Sequence, residues 1–391
     1  MVRQNWNNKI ISNCVINAAD IFYRFSAVPP ELTKIRLYEN MAAGSGLDFC
    51  IIGVFEDYHD QESVDEAKKV FHFHKLNEDI YGKLRSLARL AVLHPLSRHC
   101  GKDFYGVFRA LKELHLPFDC LADQRILEDV SLLEPYVAVL VPSLSDIQPE
   151  AVLKIQKMGK KLLILGAEPL TKGLQESLGL KLREIRADNR AAYLYTKEKN
   201  LFPSMEKRDW MLLDGSFNVY EGKGWRSLLP RVEKAWFGPP ERCFGHILTE
   251  EGGALLSPDG QMVVIPWGLG SLYHKVGYRE YRDVLGDILR KLAPEVGVIG
   301  GNLPAAVEVF WDKVGNQYLL QLLNLTGFHG NTMEKPLCLT NLKVELCGSF
   351  ILARSLTGGT FTVQSNERGK TFLSLQKLTE FEAILLESNE M

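Results

Sequence analysis

At 391 residues the chain is too long for one hydrophobic core, so two or three domains are expected. Its 46 Lys and Arg nearly balance its 48 Asp and Glu, which leaves no strong field for nucleic acid or an anionic membrane. No apolar run approaches the ~18 residues of a membrane span, and no leader pattern follows Met1. The seven cysteines (14, 50, 100, 120, 243, 338 and 347) contain no C-x-x-C pair, which points to a reducing cytoplasm and away from a disulfide framework or zinc ribbon.

The chain opens in mid-pattern. Residues 30–43 read as a helix with Leu32, Ile35, Leu37 and Met41 on a partly apolar stripe, ended by Gly44 and Gly46. Residues 47–55 (LDFCIIGVF) read as a buried strand, followed at once by Glu56, Asp57, His59, Asp60 and Glu62. Helix, glycine turn, strand and polar loop make one step of a (β/α) barrel, where acids beyond a strand's C-terminal end carry the chemistry. A solvated loop ahead of a helix starting near Ser63 explains the same residues. On the barrel reading, Phe55 ends the strand, and Glu56 and Asp57 line a concavity shared with nearby aromatics. Residues 64–81 read as a further helix, on which His72 and His74 point to different faces and so build no metal site.

Three short apolar runs, 87–93, 137–141 and 161–166, have the composition of strands buried on both faces. A weaker strand is read at 118–121, and helices at 103–114 and 149–158 carry apolar residues at three- and four-residue spacing. Short connections between them imply a parallel sheet with right-handed crossovers. A helix at 171–177 and a strand at 191–195 follow. Residues 200–270 look loop-rich, with Trp210, Phe217, Tyr220, Trp225, Trp236 and Phe237. Such an insertion suits either sugar stacking or irregular packing. A strand at 262–267 and a helix at 281–292 complete the sheet. After Ala293-Pro294, period-two strands at 306–311, 318–324, 342–346, 350–352, 360–363 and 383–386 alternate with turns such as Glu367-Arg368-Gly369, the pattern of an antiparallel β-sandwich.

The parts of known active sites are missing from the central block. Its first strand runs into His94-Pro95-Leu96-Ser97-Arg98-His99 in place of a G-x-G-x-x-G turn, and neither a Walker lysine loop nor G-x-S-x-G occurs. The turn Leu165-Gly166-Ala167-Glu168-Pro169 lacks a nucleophilic cysteine, and Cys100 and Cys120 have no histidine partner legible in the sequence.

Three stretches carry a resemblance to a known family. The block YGVFRALKELHLPFDCLAD with Val141-Pro142-Ser143 resembles the trimerisation domain of family-42 β-galactosidases, an amidotransferase-like fold without its active site. Asn5-Trp6 and Arg36-Leu37-Tyr38-Glu39-Asn40-Met41-Ala42 resemble the end of the barrel of the same enzymes. Pro239-Pro240-Glu241-Arg242-Cys243-Phe244-Gly245, Ile265-Pro266-Trp267 and Leu323-Asn324-Leu325-Thr326-Gly327 are similar to related glycoside hydrolases. The resemblance implies a TIM-barrel remnant (1–82), a flavodoxin- or class I amidotransferase-like doubly wound domain (83–294, insertion about 196–260) and a C-terminal β-sandwich (295–391). It implies carbohydrate as substrate, a homo-oligomer, no cofactor and no metal. Trp6, Glu56 and Asp57 would border the sugar pocket. Retaining glycosidases need two carboxylates ~5 Å apart. In the family the nucleophile precedes the Asn-Trp segment and the acid/base lies earlier still, so neither maps onto this chain. The alternatives are a non-catalytic oligomerisation or carbohydrate-binding protein and, more remotely, an amidotransferase-fold hydrolase.

Overall fold

The computed structural model describes residues 1–388 apart from 7–8, 21, 97–98, 146, 237, 298 and 367–368, so Ser97, Arg98, Phe237 and the Glu367-Arg368 turn lie outside the described residues. The chain forms two compact units, one holding residues 3–5 and 88–297, the other 6–87 and the C-terminal stretch from 299.

The first unit is built on a nine-stranded mixed sheet. Five strands are parallel, in the order Phe118–Ala122, Leu90–His94, Ala138–Val141, Lys161–Leu165, Met262–Ile265. Val139, Leu140, Leu163 and Ile164 are essentially inaccessible because both faces are covered. This is the doubly wound arrangement, with the strand order reversing between Leu90–His94 and Ala138–Val141. Thr171 caps the helix Lys172–Leu178, its Oγ1 accepting from Leu174 N at 3.4 Å.

Beyond Met262–Ile265 the sheet continues through Leu248–Leu256, Arg226–Val232, Ala192–Tyr195 and Trp210–Leu213. The stretch expected to be loop-rich therefore extends the sheet. Its longest strand, LTEEGGALL, hides its strand character behind two glutamates and two glycines. Phe217 and Tyr220 are buried, and Trp225 is half-buried with Nε1 donating to Leu178 O at 3.2 Å. A helix at Leu269–Val276, not anticipated, packs on Lys102–Glu113 through glycine. A Cβ on Gly106 would lie 1.8 Å from Gly270 O, and one on Gly270 would lie 2.3 Å from Asp103 O.

Asn5 belongs to this unit rather than to a barrel. Its Nδ2 donates to Cys120 O at 3.0 Å and its Oδ1 accepts from Ala122 N at 2.8 Å, so the amide pairs with the edge strand Phe118–Ala122 much as a neighbouring backbone would.

In the second unit, strand β1 (Ser12–Ile16) pairs in parallel with β2 (Gly46–Cys50) through the crossover helix α1 (Pro30–Ala42), and helix α2 (Gln61–Leu76) follows. Val15, Leu37, Ala67 and Val70 form the small core between strands and helices. β1 was not legible because only Val15 of its five residues is buried. β2 ends at Cys50, not at Phe55 as expected, and the helix read over 64–81 breaks at Asn77 into α2 and a short turn of helix, Glu78–Tyr81.

The remainder is an antiparallel β-sandwich of a five-stranded and a four-stranded sheet. Leu320, Leu322, Val344, Leu373 and Ile384 fill its core, and Lys370–Leu378 is a strand not foreseen. Residues 84–86, read with the central block, instead pair with Asp312–Val314 at the sandwich edge. Tyr38 of α1 stacks on Phe381 at 4.5 Å, and Lys34 bridges Glu66 at 2.6 Å and Glu380 at 2.9 Å, so α1 is anchored on the sandwich.

Candidate functional site

Successive parallel strands joined by a helix present their C-terminal ends on one side, and in barrels that side carries the chemistry. Here those ends are Ile16-Asn17 and Cys50-Ile51. Asn17 is fully buried. Its N–H donates to Cys50 O at 2.8 Å and its carbonyl accepts the Tyr58 hydroxyl at 3.0 Å, while its Oδ1 is buried without a hydrogen-bond partner. Burial, then the nearby Asp60, holds the Tyr58 phenol above its usual value, so it stays a neutral donor. Ser63 Oγ donates to Val28 O at 2.9 Å, tying the start of α2 to the loop that follows β1.

Two hollows flank the pair. One, about 490 Å³, runs along β1 and is lined by Asn13, Cys14, Asp20, Arg36, Glu39 and Cys50 among others. The other, about 470 Å³, lies beside β2 and is mainly apolar, with Leu47, Phe49, Phe55, Val64, Ala67 and Phe71. The first holds two carboxylates, but Asp20 comes from the loop after β1 and Glu39 from the last turn of α1. Neighbouring strand ends, from which a retaining pair is built, supply neither.

Glu56 and Asp57 lie in an exposed turn, and neither lines the two hollows. Because β2 stops five residues early, the chain has already turned outward before it reaches them; Phe55, expected to be buried, is 52% exposed. Trp6 is half-buried and lines neither hollow. Sequence reading missed Asn17 and Tyr58. The signal for them was weak, a single buried residue in β1 and a tyrosine among acids.

Burial raises the Cys120 thiol to about 11 in the first unit, the opposite of what a nucleophile needs. Among the described residues, no group of three or more His, Cys, Asp or Glu is placed to hold a metal ion. No helix among them is long and apolar enough to cross a membrane.

No protein-family model matches the sequence, and no curated protein matches it. Solved structures share its fold over nearly its whole length. An α-L-fucosidase, isoenzyme 2 from Paenibacillus thiaminolyticus, matches with a TM-score of 0.77 at 16% identity, over 98% of this chain and 61% of the fucosidase. A β-galactosidase from Bacillus circulans sp. alkalophilus matches with a TM-score of 0.58 at 14% identity, over 93% of this chain and 53% of its own. A family-42 β-galactosidase from G. stearothermophilus gives 0.57 at 14% identity, over 93% and 51%. The chain thus has a glycoside-hydrolase-like fold and spans between half and two thirds of the length of these enzymes.

Proposed function

We propose that the chain is the C-terminal part of a glycoside-hydrolase-like protein of carbohydrate metabolism, cytoplasmic and homo-oligomeric. The catalytic carboxylate pair is not supplied by residues 1–391 on this reading. The observation that carries it is the β1–α1–β2–α2 array. Among the described residues its two strands pair only with each other, and the strand face away from the helices is exposed at Cys14, Ile16 and Asp48. Parallel sheets are normally covered on both faces and run to more strands, so the array has the form of a barrel segment. The fucosidase match, of which two fifths has no counterpart here, supports the same reading. Trp6, Glu56 and Asp57 are then rim residues near the sugar, not part of the reacting constellation.

The test is an assay of the pure chain on chromogenic galactosides, fucosides and glucosides. No turnover above blank is expected, because losing such a pair forfeits many orders of magnitude of rate. Turnover abolished by Glu56→Gln or Asp57→Asn would overturn the reading.

A non-catalytic carbohydrate-binding role is the second reading, favoured by one observation in the first unit. Trp210, 43% exposed, sits 5.1 Å from the Tyr193 ring and 5.6 Å from His246. Aromatic faces of this kind suit the C–H side of a pyranose. Quenching or enhancement of tryptophan fluorescence by oligosaccharides, lost in Trp210→Ala, would favour it over the first.

A further inference from the structure

In a doubly wound sheet, ligands bind in the crevice outside the strand ends, at the point where the strand order reverses. In the first unit that point lies between Leu90–His94 and Ala138–Val141. What stands there is a carboxylate of the chain itself. Asp123 follows the neighbouring strand Phe118–Ala122 and is completely buried. Its Oδ1 accepts from Leu96 N at 3.1 Å and from Gln124 N at 2.8 Å, and its Oδ2 accepts from Gln148 N at 3.0 Å. Leu96 lies just beyond the first of the two switch-point strands, and Gln148 immediately precedes the helix Pro149–Lys157 that follows the second. One side chain therefore joins the chain segments that leave both strands. Backbone N–H groups converging from separate segments on one pair of oxygens make the kind of cradle that binds anions.

We propose that Asp123 is an internal ligand: its carboxylate occupies an anion site at the switch point and shuts the crevice to anions from outside. The donors belong to the main chain, so the cradle does not need the Asp123 side chain to supply them. With the carboxylate removed, these N–H groups are left buried without an acceptor, which is costly, so the emptied site takes a small anion in its place. Changing Asp123 to alanine keeps Cβ and deletes one carboxyl group. Formate is the anion of that size, whereas the methyl group of acetate meets the remaining Cβ. The inference concerns the first unit alone and stands without the carbohydrate reading.

The full chain and its Asp123→Ala variant are melted in sodium chloride, sodium formate and sodium acetate at equal ionic strength. The quantity read is the gap in melting temperature between variant and wild type in each salt, which cancels the general effect of the salt on folding. The variant is expected to melt below the wild type in chloride. Formate is expected to narrow the gap saturably, by about 2–4 °C, and acetate by less. Asp123→Asn fills the site with an amide, so it is expected to lose stability without any response to formate. A gap that formate leaves unchanged in Asp123→Ala, or narrows equally in Asp123→Asn, would overturn the proposal. If Asp123→Ala does not fold in chloride, refolding in formate decides. Recovery of the folded chain supports the internal ligand, and failure in both salts overturns it.

Discussion

The molecule contains two parallel βαβ arrays, one finished and one open, and they differ in what their strands can show on their own. In the first unit the five parallel strands are largely buried, and all but Phe118–Ala122 (FDCLA) read as apolar runs; Ala138–Val141 is buried at all four positions. In the second unit β1 and β2 are covered on one face only, and four of the five β1 residues are exposed. The same backbone topology therefore leaves a strong sequence signature in one place and almost none in the other. Function follows the same line. The closed array has its surfaces packed, whereas the open one keeps hollows and thiols within reach of solvent and buries an unpartnered amide oxygen, Asn17 Oδ1.

The comparison breaks most visibly at the glycine contact that closes the first array. Gly106→Leu or Gly270→Leu forces a side chain into a backbone carbonyl, an overpacking cost of about 3 kcal/mol or more. Urea unfolding should show that unit lost or severely weakened, while circular dichroism retains the β-signal of the sandwich.

Large-to-small changes sharpen the contrast. Leu140→Ala, in a strand covered on both faces, should cost about 3–5 kcal/mol, because its surroundings cannot collapse around the cavity. Leu37→Ala, in the four-residue core under the open pair, should fall near the lower limit of about 2 kcal/mol. Equal losses in chemical denaturation would argue that the open array is packed as tightly as the closed one.

The closed unit should also be the more acid-sensitive. Burial pushes the Glu113 carboxyl up, but hydrogen bonds from Tyr273, Arg109 and Arg282 outweigh it and leave the group below its ordinary value of 4.5. A depressed carboxyl contributes stability that is fully present above the unfolded value and is lost as pH falls through the folded one. Melting temperature should therefore drop below about pH 4, and Glu113→Gln should flatten that drop while lowering stability at neutral pH. The smallest effect is expected at the turn after β2. Glu56→Ala with Asp57→Ala should shift stability by no more than about 0.5 kcal/mol, since both side chains are exposed and outside either hollow.

What the sequence determined by itself was wherever local composition and final burial agree. The five parallel strands, the helices at 103–114, 149–158 and 171–177, and most of the sandwich strands could be read because burial on one or both faces writes a period into the residues, whereas the helix Asp123–Glu128 was not. Tertiary structure alone decided the rest, because those features depend on partners remote in the chain. Leu84–Ser86 is a strand of the sandwich only because Asp312–Val314 lies beside it, and Asn5 is a clamp only because its amide meets the backbone of residues 120 and 122. The LTEEGGALL strand, with two glutamates and two glycines, is held by neighbours on both sides that no window of nine residues can show. At the candidate site the acids after residue 55 drew the eye, yet the early end of β2 carried them into solvent. The register of β1 against β2 instead gathered Cys14 and Cys50, thirty-six positions apart, on one face. A strand's composition tells how many of its faces are covered, and only the fold tells by what.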